Sequence, residues 1–248
     1  MLKMLKADFY KIIKSKMLLA LLIISLSLSL LNPILNAVNK DGSSVYWKLR
    51  QSSTLYCTIW IFTIPFACKD FSSRYMKNLI PVYSEKDKFC YILSKVFYIF
   101  VFCVLFMLLN FVFEIISNYS FGIGCMYDTD WDVQNFTVAE FYLHYLCSII
   151  NSVAIGTVLL FLCVLSKREY IVTVFVLPYL FFLSSLLYDA INKAVADGFR
   201  LELYTIFGLW NMLLNCHTSE LLIGLCMSLG YTAFFTVSSW LVFRKRSF

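Results

Sequence analysis

The chain carries six separate apolar stretches, most of them long enough to cross a membrane. They run Met17 to Val38, Ser53 to Cys68, Val96 to Ser117, Phe141 to Leu165, Tyr170 to Leu187 and Leu221 to Phe243. A spanning helix needs about 20 predominantly apolar residues, and helices or closed barrels alone satisfy every backbone group where there is no water. With 60% hydrophobic and 15% charged residues, the composition lies far from the soluble balance of roughly 45–50% apolar and about 25% charged. These features predict an all-α integral membrane protein with six transmembrane helices in a single domain over residues 1–248. Pro65 interrupts the short second stretch and Pro178 falls in the fifth. Both read as kinks, because a packed bundle can satisfy the carbonyls that proline frees.

Lysine and arginine are retained on the cytoplasmic side during insertion, so their distribution sets the orientation. With the N-terminus inside, the inner segments hold Lys3, Lys6, Lys11, Lys14 and Lys16, then Lys69, Arg74, Lys77, Lys86, Lys88 and Lys95, then Lys167 and Arg168, and finally Arg244, Lys245 and Arg246. The outer segments keep Lys40, Lys48, Arg50, Lys193 and Arg200, together with the acidic run Asp128, Asp130 and Asp132. Both termini are therefore expected in the cytoplasm. The net charge of +6 reports topology; nucleic-acid binding would need the basic residues to share one aqueous face. Met17 to Val38 exceeds a signal-peptide core of about 7–15 residues and runs into Asn39, Lys40 and Asp41 without a small-residue cleavage site, so it reads as a retained helix.

Ahead of the first stretch, Leu2, Leu5, Phe9, Ile12 and Ile13 share one helical face and Lys3, Lys11 and Lys14 the opposite one. Residues 1–16 thus read as an interfacial amphipathic helix, or as a lysine-rich tail that only fixes topology. Between the second and third stretches, residues 69–95 form a long cytoplasmic segment. Phe71, Tyr75 and Leu79 recur at four-residue spacing until Pro81, and Ser84 is placed to cap a following helix with Glu85 and Asp87 in its first turn. A striped, sharply ended helix facing the cytosol suits docking; a plain connector is the alternative.

The outer segments carry little chemistry. Asn118 to Glu140 is acidic and turn-rich, but it lacks the later glycine and distal glutamate of an EF-hand loop, so a solvated loop is favoured over a calcium site. Asn118 and Asn135 lie in N-x-S/T sequons, which matter only in a eukaryotic secretory membrane. Residues 188–220 divide at Gly198 and Gly208 into pieces too short to cross, which suggests short helices dipping into or capping the outer side. Seven of the nine cysteines lie in or beside apolar stretches as small packing residues; Cys125 and Cys216 fall in outer loops, where they are either free or paired.

No catalytic constellation is visible, and HExxH, GxSxG and GxxxxGK[ST] are all absent, so the chain does not cradle ATP phosphates by itself. No metal or cofactor site is expected in it. Two ionisable residues fall inside apolar stretches near their outer ends, Glu114 and His144. They form either a buried polar site or an interfacial pair that touches water. Ser152 and Gly156 allow close helix approach in the fourth stretch.

Taken together, LKADFYKIIKSKMLLALL and FACKDFSSRYMKNLIPVYSEKDKFCYILSKVF resemble the opening and the long cytoplasmic loop of permease subunits of bacterial ABC-2-type exporters, including lantibiotic and bacteriocin immunity permeases. Arg74, Tyr75, Met76 and Lys77 stand where that family has a glycine-threonine-lysine-like step, and Ser94 and Lys95 match its late serine-lysine pair. The resemblance implies a multi-pass protein of the bacterial cell membrane that pairs with a second permease and with separate ATPase subunits, which bind the ATP and magnesium. It further implies that Lys69, Asp70, Phe71, Arg74, Tyr75, Lys77 and Leu79 belong to a coupling helix that docks on the ATPase, and that the cargo is an amphipathic peptide. A membrane adaptor or sensor using the same loop is the alternative. A proton-coupled carrier would depend on Glu114 and His144, and no internal repeat favours it.

Overall fold

A computed structural model describes residues 84–120, 138–166, 184–195 and 218–245, together with 204–206, 209 and the isolated positions 6, 9, 10, 14, 19, 23, 27, 63 and 66. Four helices are seen: α1 (Glu85–Ser120), α2 (Val138–Ser166), α3 (Ser184–Val195) and α4 (Thr218–Lys245). Among the described residues there is no strand. Three segments, Glu85–Leu109, Tyr142–Ser166 and Glu220–Lys245, are long and apolar enough to cross a membrane. They correspond to the third, fourth and sixth apolar stretches. The first, second and fifth stretches lie outside the described residues apart from single positions and the last turn of the fifth, which opens α3. Phe9, Tyr10 and Lys14 of the expected interfacial segment are helical, with the Lys14 ammonium 5.1 Å from the centre of the Tyr10 ring.

The start of α1 follows from local chemistry. Ser84 Oγ accepts from the Asp87 backbone N–H at 3.3 Å, and the Asp87 carboxylate accepts from the Ser84 backbone N–H at 3.2 Å. This reciprocal capping box satisfies two donors that the first turn leaves open, with Glu85 and Asp87 favourably placed at the positive end of the helix dipole. The helix expected after Ser84 is continuous with the third apolar stretch, so α1 starts eleven residues before the expected span and residues 85–95 are its first three turns. Ser84→Ala is expected to cost about 1 kcal/mol, confined to that end. Hydrogen exchange should quicken in the first two turns of α1 and stay unchanged in α2.

The register of side-chain pairs gives the course of each helix. Phe111 meets Tyr145 while Ile99 meets Gly156, so α1 and α2 run antiparallel. Glu85 pairs with Arg244 and Phe89 with Trp240, so α1 and α4 are antiparallel as well. Cys147 reaches Leu221, Asn151 reaches Ser228 and Phe161 reaches Phe235, so α2 and α4 run parallel. Of the three, α2 is central, with 72% of its span buried against 44% for α1 and 22% for α4. Its buried row of Ile149, Val153, Ala154, Ile155, Leu159 and Leu160 packs between the other two. Leu229, Phe234, Val237 and Leu241 of α4 stay exposed, as do Phe97, Leu105 and Leu108 of α1. Such surfaces suit lipid tails as solvent.

Residues 204–206 and 209 tie α3 to α4. The Thr205 hydroxyl donates to Tyr188 Oη at 2.9 Å, and Tyr231 Oη donates to the Tyr204 carbonyl at 2.6 Å. Leu209 is buried against Gly224, where an added Cβ would lie 3.1 Å from Leu209 Cδ2. Residues 204–206 and 209 therefore lie against the first half of α4.

Candidate functional site

The most unusual side chain lies in the third turn of α1. Lys95 is completely buried, although burying an ammonium costs on the order of several kcal/mol even after relaxation. Its Nζ lies 4.1 Å from the centre of the Phe66 ring and 5.1 Å from that of Tyr91. Desolvated contacts of this kind contribute about 2 kcal/mol or more. Phe66 meets Tyr98 edge-on at 6.0 Å, and Tyr91 is stacked on Phe243 of α4 at 5.6 Å. Ser94, also buried, donates its hydroxyl to the Tyr91 carbonyl at 2.7 Å. Lys95, expected at the end of a loop, is instead part of α1 and buried. Its long apolar stem lets it pack as part of the helix bundle, and the aromatic faces receive the charged end.

About two to three turns nearer the helix start, α1 is clasped to the last turns of α4. The Arg244 guanidinium donates to the Glu85 carboxylate at 2.8 Å and lies 5.8 Å from the Trp240 ring, which itself meets Phe89 edge-on at 5.6 Å. The ion pair is solvent-exposed and is worth at most about 1 kcal/mol; buried Phe243 and Tyr91 supply the greater part of the attachment.

The expected coupling residues Lys69, Asp70, Phe71, Arg74, Tyr75, Lys77 and Leu79 lie outside the described residues. Their two flanks do not. Phe66 rests on Lys95 and Tyr98, and Ser84 caps α1. Phe66 and Ser84, the described residues on either side of 67–83, thus both lie at the first half of α1.

The Phe111–Tyr145 ring pair sets the α1 turn that carries Glu114 beside the first turns of α2; the Glu114 side chain lies outside the described residues. His144, near the start of α2, is buried at 6% exposure. Further along the same interface, the Ser228 hydroxyl donates to Asn151 Oδ1 at 3.2 Å between α2 and α4. Other hydroxyls in these helices (Ser152, Thr232, Thr236 and Ser239) turn back onto carbonyls of their own helix, so they are satisfied without a partner helix. Gly156 faces α1, through Ile99.

Sequence reasoning missed the burial of Lys95 against aromatic rings and the Asn151–Ser228 pair. The spacing of Tyr91, Lys95 and Tyr98 on one helical face was the available signal for the first. Cys103 and Cys147 are buried and free, in keeping with a packing role, whereas Cys163 is disulfide-bonded. Cys125 and Cys216 lie outside the described residues. Among the described residues no cluster of three or more His, Cys, Asp or Glu could hold a metal ion. No protein-family model and no curated protein matches the chain.

Proposed function

We propose that this chain is the permease subunit of an ATP-driven exporter of the ABC-2 type, in the bacterial cell membrane, with six crossings and both termini in the cytoplasm. Because α2 and α4 run parallel, the chain between Ser166 and Thr218 has to return to the opposite end of the bundle. The apolar stretch Tyr170 to Leu187 supports one crossing there. The start of α1 and the end of α4 meet at one end of the bundle, and the basic residues Lys86, Lys88, Arg244 and Lys245 all lie there. That supports a cytosolic placement of this end.

The observation that carries the reading is the anchorage of segment 67–83. Both of its flanks rest on α1, and α1 is clasped to α4. A push on such a segment from a cytosolic subunit moves two crossing helices together, as a coupling element requires. ATP and magnesium are then bound by the partner ATPase. A second permease, identical or different, completes the pathway, and the cargo is an amphipathic peptide of the bacteriocin kind.

The double charge reversal Arg74→Glu and Lys77→Glu tests this. Co-purification with a co-expressed ATPase from the same operon should fall about tenfold or more, on the scale of lost interfacial charge contacts, with membrane insertion unchanged. A stable assembly that never contains an ATPase would instead support an adaptor, and unchanged transport in the variant would remove the docking assignment.

A further inference from the structure

We propose that Lys95 is a buried cationic pin, holding the residue that enters segment 67–83 to the helix that leaves it, and fastening both to the end of α4. The Lys95 ammonium lies over two rings of different origin. Tyr91 is one turn back on α1, whereas Phe66 belongs to the chain before the segment. The far side of the relay continues from Tyr91 onto Phe243, stacked at an interplanar angle of 26°. Phe66, Lys95, Tyr91 and Phe243 thus form a ring–cation–ring–ring series that crosses three parts of the chain.

Packing alone does not call for lysine here. Leucine or methionine fills a similar volume without the desolvation cost of an ammonium, and replacing buried charges by apolar groups is often neutral or stabilising. What lysine adds is a positive charge, which the faces of aromatic rings attract most strongly when water is excluded. Lys95 is 0% exposed, so that condition is met. Ser94 spends its hydroxyl hydrogen on the Tyr91 carbonyl, which holds the local turn. The result is a fixed base for segment 67–83, whatever docks on that segment. The inference goes beyond the transport reading and does not need it.

A double-mutant cycle in the full-length protein, reconstituted in nanodiscs, isolates the Lys95–Phe66 pair from everything else the ammonium touches. The readout is hydrogen exchange of the amides of residues 89–95. Phe66→Leu and Lys95→Met should each speed exchange about tenfold, and the double variant should exceed either single by less than about twofold. Lys95→Arg, which keeps the cation, should stay within about threefold of the parent. Additive effects in the double variant, or Lys95→Arg behaving like Lys95→Met, would overturn the proposal. Should Lys95→Met fail to fold, the Phe66 series with lysine retained decides. Tryptophan, the better cation acceptor, should exchange no faster than phenylalanine, and equal rates for Phe66→Trp and Phe66→Leu would count as refutation.

Discussion

Phe243→Ala is expected to destabilise the protein by about 3–5 kcal/mol, the usual cost of removing a fully buried phenylalanine, while its neighbour Arg244→Ala costs less than about 1 kcal/mol. The contrast follows from where the two side chains go. Phe243 is 0% exposed and stacked on Tyr91, so its loss leaves a void between α4 and α1 that the surrounding helices cannot fill. Arg244 makes a well-formed contact with Glu85, but both partners are exposed, at 45% and 62%, and solvent screens the pair. Thermal unfolding in detergent should therefore show a large drop in midpoint for Phe243→Ala and almost none for Arg244→Ala. Equal effects would mean that the ion pair, and not the ring stack, fastens the end of α4.

The second large effect is expected at the crossing of α1 and α2. An alanine Cβ at position 156 would lie 2.5 Å from Ile99 Cγ2, closer than real Cβ contacts come. Isoleucine on a helix is held in one χ1 well, so Ile99 cannot swing aside, and Ile99 is itself completely buried. Gly156→Ala should gain about 0.8–1.0 kcal/mol in helix propensity and lose about 1–3 kcal/mol through overpacking. The two helices must separate, which loosens the contacts on either side of the crossing, so the loss wins. Ile99→Ala alone opens a cavity at a cost of about 2–5 kcal/mol, yet in the Gly156→Ala background it removes the clashing methyl. The double variant should be more stable than the sum of the singles predicts. Chemical unfolding of the four proteins measures this, and strict additivity would show that Gly156 and Ile99 do not touch.

Some of this was legible residue by residue. Ser84, Glu85 and Asp87 announced a helix start, and the capping box is there. The apolar stretches ending at Ser117, Leu165 and Phe243 announced helices of crossing length, and three are present. The amphipathic segment after Tyr188 announced a short helix, which begins a turn earlier, at Ser184. The expected docking residues from Lys69 to Leu79 rest on the resemblance and on the anchored flanks of their segment.

The chain's composition and the spacing of its apolar, basic and capping residues determined that it forms long apolar helices, where α1 starts, and which end of the chain's helices is basic. Those are local properties, carried by consecutive residues whatever surrounds them. Tertiary structure alone decided that α2 is central, that α2 and α4 run parallel, that Gly156 meets Ile99 and that Lys95 is buried among rings. The reason is physical. In a helix apolar on every side, lipid tails and neighbouring helices are equally good company for leucine or phenylalanine, so no periodicity marks the face that packs. Only the close fit of specific side chains across the crossing distinguishes the two.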